Sequence, residues 1–244
     1  MTDAIINPVR GKNAPKLSPM TILVSSQGDL SLLCEKLNLN PQNYRQLSMS
    51  RVYPGGQISA AGPVVGAPYA VMIMEALIAW GARQIVLVGW CGSISPDVKI
   101  GDILLPTGAF IDEGTSRLYG ADESVPALPS PGLLDQTKHV LSRNNLAFHE
   151  GRVWSTDAIY RETYSKIRHF QSQQALAVEM EVSALFTVGK FRNVDVTAIL
   201  AVSDELATLT WKPGFKDERF AQTRKAVCEV ISSIFSQKPL QTDY

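Results

Sequence analysis

The segment Gln84–Val88 (QIVLV) is apolar at every position after Gln84 and runs straight into Gly89-Trp90-Cys91-Gly92. A strand with no polar face belongs in the interior of a sheet that is covered on both sides, which steers the chain toward an α/β architecture. Val196–Val202 (VTAILAV) has the same character and ends in Ser203-Asp204-Glu205. Around these two runs, Thr21–Ser26, Gln57–Gly62, Asp102–Pro106, Arg152–Ser155 and Leu176–Met180 are short apolar or β-branched stretches that predict further strands. Apolar spacing predicts helices over Leu30–Leu37, Tyr69–Trp80, Leu133–Asn144, Val182–Phe191 and Asp217–Phe235, with Gly81 at a C-cap position. Strands alternating with helices give an α/β fold with a largely parallel or mixed sheet. Residues 1–19 read as an extended arm and 20–238 as one domain; Gly120–Gly132 and Glu205–Gly214 read as irregular segments.

Composition narrows the function classes. The 244 residues carry 23 basic and 23 acidic side chains, so no basic surface is available for a dedicated nucleic-acid binder. Cys34, Cys91 and Cys228 are odd in number and lack the spacing of a zinc site or a disulfide framework. No apolar run approaches the roughly 20 residues of a membrane helix, and the N-terminus lacks a signal-peptide core. A cytoplasmic protein acting on a small molecule is the expectation, with no nucleic-acid or membrane partner.

In open α/β sheets, ligands gather at the carboxyl ends of strands, so chemistry is sought after each confident strand. Gly62–Pro68 and Gly89–Gly92 are glycine-containing turns where a ligand or a second backbone can approach closely; tight turns alone would also explain them. Neither matches G-x-G-x-x-G or the P-loop, which removes NAD and ATP on motif grounds. Glu179 and Glu181 flank Met180 in an apolar stretch. If the strand continues, both carboxylates point one way and can capture a vicinal diol; if it has ended, one sits at a helix start, stabilised by the dipole. Asp204, at the mouth of the most apolar strand, is placed as a general acid or as a turn or N-cap residue.

Taken together, Gly-x-Pro after one strand, Val-Gly-x-Cys-Gly-Ser after the next, then Gly-Asp-Ile, Val-Glu-Met-Glu and Val-Ser-Asp resemble the nucleoside phosphorylase superfamily. That group holds hexameric purine nucleoside phosphorylases, uridine phosphorylases and methylthioadenosine nucleosidases, and the likeness runs from about Thr21 to Phe235. Ile111–Tyr119 (IDEGTSRLY) is similar to the uridine phosphorylase branch. The resemblance implies a single α/β domain whose mixed sheet forms a distorted barrel surrounded by helices. It implies cleavage of the N-glycosidic bond of a nucleoside without metal or organic cofactor, with phosphate as co-substrate in a phosphorylase. By the same resemblance, Glu181, Met180 and Glu179 form the ribose side, and Cys91, Gly92, Tyr160 and Ser203 border the base. Asp204 is the catalytic acid at a departing purine, Trp211 lies on the edge of the base site, and the protein is a homo-oligomer, a dimer or hexamer.

The phosphate motifs depart from the family pattern. Gly28-Asp29-Leu30-Ser31-Leu32 has leucine where an arginine is expected, and Leu87-Val88-Gly89-Trp90 replaces both remaining phosphate contacts with apolar side chains. Leucine offers a phosphate dianion nothing, and tryptophan only an indole N–H. Phosphorolysis through a rebuilt site therefore needs other donors, for which Gly28, Arg51, Arg117 and Arg161 are the candidates. The alternatives are a nucleosidase that uses water, and a nucleoside-binding protein of the same fold that has lost catalysis.

Overall fold

The computed structural model describes residues 4–234, so the ends of the predicted arm (1–3), the predicted domain (235–238) and the last helix (Phe235) lie outside the described residues. In chain order the elements are β1 (Met20–Val24), α1 (Gln27–Lys36), β2 (Arg45–Leu47), β3 (Ser50–Tyr53), β4 (Ile58–Gly62), α2 (Ala67–Trp80), β5 (Gln84–Ser93) and β6 (Ile103–Asp112). They continue with α3 (Thr115–Leu118), α4 (Pro131–Arg143), β7 (His149–Thr156), a 3-10 turn (Ile159–Arg161), α5 (Tyr164–Ser172), β8 (Ala175–Glu179), α6 (Val182–Arg192), β9 (Asp195–Glu205), β10 (Lys212–Pro213) and α7 (Glu218–Ile234).

The sheet is mixed and closes on itself. β9 pairs with β6, β6 with β7, β7 with β8 and β8 with β5, and β5 returns to β9. From β5 the sheet extends outward through β1, β4, β3 and β2. Alternate residues of the inner strands feed two apolar clusters: Leu23, Ile85 and Leu87 enter one, Ile22, Val24, Val86 and Val88 the other. That period of two is why these strands carry no polar face: α2 and α6 bury one side, and α1, α4 and α7 the other. Part of the predicted arm also packs inward, since Ala14, Leu17 and Ser18 are buried and the Leu17 N–H donates to the Trp80 carbonyl at 2.9 Å.

Two differences from the sequence reading matter for function. Gly89-Trp90-Cys91-Gly92 is not a turn after a strand but the second half of β5, which continues to Ser93. Barrel closure explains it: β5 must pair with β9 and β8 at once, and glycines allow the crossing. The hairpin β2–β3 and helix α5 carry too few apolar residues to register as elements; α5 buries only Ile167 and Phe170, three residues apart.

Candidate active site

The site is built where four strand ends converge. Gly92 pairs across β5 with Val178 of β8 on one side and with Asp204 of β9 on the other. The register of β5 and β9 slips between Cys91 and Gly92, so Ser203 and Asp204 together oppose a single step of β5. This bulge re-aims the end of β9 next to the site. It also leaves no space for a side chain at Gly92, where a Cβ would lie 2.7 Å from Leu206 Cδ1 and 3.0 Å from Asp204 Oδ2.

Asp204 is half-buried. Its Oδ1 accepts from the Ser203 hydroxyl at 2.7 Å and its Oδ2 from the indole N–H of Trp211 at 3.0 Å. The Ser203 hydroxyl also lies 3.2 Å from the Cys91 carbonyl, linking β9 to β5. Trp211, on the irregular segment after β9, is 59% exposed, so the acid candidate is held from the solvent side by an indole. Burial raises the Cys91 thiol well above its ordinary value, and the charges of Asp204 and then Glu179 add to the effect. That thiol stays protonated at neutral pH.

On the other side, β8 ends at Glu179 and α6 starts at Val182. The two glutamates therefore do different work. Glu179 accepts from the backbone N–H groups of Glu181 (2.6 Å) and Val182 (2.7 Å) through Oε2, and from the Ser155 hydroxyl through Oε1. It is the anchor of a helix start, with both oxygens occupied. Glu181 is turned toward the Gly62–Pro68 loop, where its Oε1 accepts from the Gly66 N–H at 2.6 Å. Gly66 has a φ of 80°, a conformation that glycine adopts without steric cost. Glu181 Oε2 has no well-formed hydrogen bond from a described residue, although the side chain is 6% exposed by residue area. Burial, then the charge of Glu179, raises the proton affinity of Glu181; backbone N–H groups at Gly66 and Met180 offset this only in part. Half-buried Met180 sits between the two.

The corner between β1 and α1, where Gly28 and the phosphate motifs converge, is filled by the protein itself. Asp29 is 1% exposed; its Oδ1 accepts from Arg224 Nε at 2.7 Å and forms an ion pair with the guanidinium, 2.6 Å from Nη2. Its Oδ2 accepts from Trp90 Nε1 at 2.7 Å and from the Ser26 hydroxyl at 2.9 Å. The Arg224 guanidinium stacks over the Trp90 ring at 4.7 Å, and Phe220 meets that ring edge-on at 5.1 Å. Leu87 is buried in the core and Leu32 packs partly buried on the apolar layer beneath α1.

Of the residues singled out in the sequence, Cys91, Gly92, Glu179, Met180, Glu181, Ser203 and Asp204 come together around the barrel mouth, and Gly28 borders the Asp29 corner. Arg51, Arg117 and Arg161 are exposed, Arg51 lying over the Tyr44 ring at 4.7 Å. Tyr160 is 96% exposed among the described residues. The Ile111–Tyr119 stretch serves structure: Glu113 accepts from the N–H groups of Thr115 and Ser116 and from the Ser183 hydroxyl, and Asp112 pairs with Lys166 at 2.6 Å. Sequence reasoning missed Glu181 as the anion that the Gly66 N–H meets, Arg224 as the partner of Asp29, and Glu162. Glu162 is a half-buried glutamate just after the 3-10 turn whose proton affinity is raised by burial and then by the Asp204 charge. A pair brought together from α1 and α7 leaves no local spacing to find. Among the described residues, no three His, Cys, Asp or Glu side chains gather as a metal-ligand set, and no helix is long and apolar enough to cross a membrane.

Residues 19–236 match the family sequence model of the Phosphorylase superfamily. A guanosine phosphorylase of Halorubrum lacusprofundi is 28% identical over 193 residues, 79% of this chain and 80% of that protein. A DeoD-type purine nucleoside phosphorylase of Brevibacillus brevis is 30% identical over 174 residues, 71% of this chain and 73% of that one. Among solved structures, uridine phosphorylase from Vibrio fischeri superposes with a TM-score of 0.77 at 24% identity, covering 90% of this chain and 91% of that chain. AMP nucleosidase from Bacteroides thetaiotaomicron superposes with a TM-score of 0.69 at 22% identity, covering 89% and 91%. With a closed mixed-sheet barrel, a Glu-Met-Glu turn and a bulged Ser-Asp strand end at its mouth, the chain belongs to the phosphorylase superfamily.

Proposed function

We propose that the protein is an enzyme that cleaves the N-glycosidic bond of a purine nucleoside. The observation that carries this reading is Glu181: a buried carboxylate, fixed through Oε1 by Gly66 and with no well-formed hydrogen bond from a described residue on Oε2, where hydroxyl donors can be taken. Ribose 2′- and 3′-hydroxyls are neutral donors at the spacing a carboxylate accepts, and Met180 supplies an apolar bed for the sugar. As the bond breaks, positive charge grows on the ribose and negative charge on the base. Glu181 contacts that strengthen with the first, and Asp204 at the base for the second, lower the barrel-mouth barrier to cleavage. Glu179, with both oxygens used by the fold, supports Glu181 from beneath and takes no substrate.

Water is the nucleophile that the β1–α1 corner supports. The Asp29 carboxylate already neutralises Arg224 there, and a phosphate dianion brought beside it would meet a like charge. Phosphorolysis is the second reading, favoured by the relatives that carry the name phosphorylase. It would draw its cations from exposed Arg51, Arg117 or Arg161, which is consistent with a homo-oligomer in which a neighbouring copy completes the site.

Product analysis separates these readings. Purified protein is incubated with a panel of nucleosides, with and without phosphate. Equal base release in both, accompanied by free ribose, is expected; base release only with phosphate, accompanied by ribose 1-phosphate, would reverse the choice of nucleophile. Asp204→Asn is expected to lower purine nucleoside cleavage by about 100-fold or more. Full activity in that variant removes Asp204 from the mechanism, and binding without turnover in the wild type makes the chain a nucleoside-binding protein.

A further inference from the structure

The β2–β3 hairpin, which carries too few apolar residues to register in the sequence, ends beside the loop that fixes Glu181. Arg51 of β3 pairs antiparallel with Gly62 of β4, so Ser50, one residue earlier, meets the chain just past the end of β4. Ser50 is buried. Its hydroxyl donates to the Pro63 carbonyl at 2.6 Å and lies 2.7 Å from the Tyr69 hydroxyl. The Tyr69 oxygen accepts in turn from the Met49 backbone N–H at 3.0 Å. A carbonyl has no proton to give and a serine only one, which sets every direction: Met49 donates to Tyr69, Tyr69 to Ser50 and Ser50 to Pro63.

These hydroxyls bracket Gly66 from both sides. Before it, Pro63 is held by Ser50, and Val64 is buried with its N–H donating to the Val24 carbonyl at 3.0 Å. After it, Tyr69 stands in the first turn of α2, for which Gly66 is the N-cap. Val65, between the held residues, is 62% exposed and gives the loop no buried side chain of its own. Gly66 then directs its N–H at Glu181 Oε1 across 2.6 Å. A carboxylate that must meet two sugar hydroxyls is placed no better than the donor that holds it, and small displacements of such a group are costly to catalysis.

We propose that Ser50 is a positioning residue for Glu181: its hydroxyl, oriented by Tyr69, holds Pro63 and through it the Gly66 N–H that fixes the sugar-binding carboxylate. The proposal rests on the nucleoside-cleaving reading above and adds to it residues that touch no substrate. It gives the hairpin a task, because β2 and β3 bring Met49 and Ser50 to Tyr69 and Pro63. Loss of the Ser50 hydroxyl leaves the Pro63 carbonyl and the Tyr69 hydroxyl without their partner and frees the loop on the side that precedes Gly66. Loss of the Tyr69 hydroxyl is milder, since Ser50 keeps its own proton on Pro63.

The test compares kcat/KM for a purine nucleoside and for its 2′,3′-dideoxy analogue in the wild type, Ser50→Ala and Tyr69→Phe. The analogue lacks the hydroxyls that Glu181 takes, so an effect transmitted through Glu181 is absent from it. Ser50→Ala should lower kcat/KM for the nucleoside about 10-fold, the upper range for one lost hydrogen bond. The same variant should leave the analogue within about threefold of the wild type. Tyr69→Phe should show the same selectivity with a smaller loss, and it carries the comparison alone if Ser50→Ala does not fold. Equal losses on both substrates make Ser50 a merely structural residue and overturn the proposal, as does full activity in Ser50→Ala. If the wild type cleaves no nucleoside, the reading beneath the proposal fails instead, and the link is tested without substrate by amide hydrogen exchange. Faster exchange at Gly66 in Ser50→Ala, with the β5 amides unchanged, upholds it. Unchanged exchange at Gly66, or an acceleration shared by β5, ends it.

Discussion

Asp29 and Glu181 are both carboxylates removed from water, and their surroundings could hardly differ more. Asp29 has a guanidinium on one oxygen and an indole N–H with a serine hydroxyl on the other, so its charge is compensated and its acceptor sites are filled. Glu181 has one firm backbone donor on Oε1, a weaker one at Met180 and the charge of a second carboxylate nearby, with no cation to pair it among the described residues. Burying a charge is costly unless it is paired and hydrogen-bonded. Asp29 meets that condition within the fold, and Glu181 meets it only when something else arrives. The contrast separates a carboxylate that holds the protein together from one kept for a ligand.

Substitutions at these positions should therefore have opposite consequences. Glu181→Gln keeps the shape and removes the charge; kcat/KM for nucleoside cleavage is expected to fall by about 100-fold or more while the protein stays folded. Loss of stability without selective loss of activity would make Glu181 another structural acid. Asp29→Ala should do the reverse. It strands Arg224 beneath Trp90 and should cost about 3 kcal/mol in chemical denaturation, the low end for breaking a buried pair because Arg224 is 24% exposed along its side chain. If Asp29→Ala is stable but inactive, Asp29 belongs to the chemistry and the comparison collapses.

The same asymmetry should appear in the pH dependence of stability. Burial raises the folded-state proton affinities of Glu179 and Glu181 above the unfolded value near 4.5. Between that value and the raised ones, the folded protein binds more protons than the unfolded chain, so stability is fullest in acid and falls as pH rises through the window. Glu181→Gln should flatten this fall and melt above the wild type at pH 8. A wild type that gains stability over this window would mean that the glutamates are held as ordinary ionised carboxylates.

Much of this could be read from the sequence, for identifiable reasons. The apolar runs in β5 and β9 announced strands covered on both faces, because periodicity survives in a one-dimensional record. Glu181 and Asp204 stood out as acids at the ends of such runs. The division of labour between Glu179 and Glu181 did not, because it depends on the strand ending at Glu179 rather than one residue later. The extension of β5 through Gly89-Trp90-Cys91-Gly92 was hidden because barrel closure, not local propensity, holds those glycines in a strand. Leu32, Leu87 and Trp90 told of a missing anion site, but what replaced it required Arg224, 195 positions from Asp29.

The smallest change that still tests the comparison is Trp90→Phe. It removes the indole N–H from Asp29 Oδ2 and keeps an aromatic face for Arg224, leaving the Ser26 hydroxyl and the guanidinium in place. A carboxylate that loses one donor of several should cost about 1–2 kcal/mol, read from a denaturation midpoint. Activity should hold within about threefold, as for a change that touches no reacting atom. A loss of activity well beyond the loss of stability would place the corner in contact with the nucleophile. The self-neutralised pocket would then be a rebuilt nucleophile site, and the boundary between the structural and the ligand-binding carboxylate would have to be redrawn through Asp29.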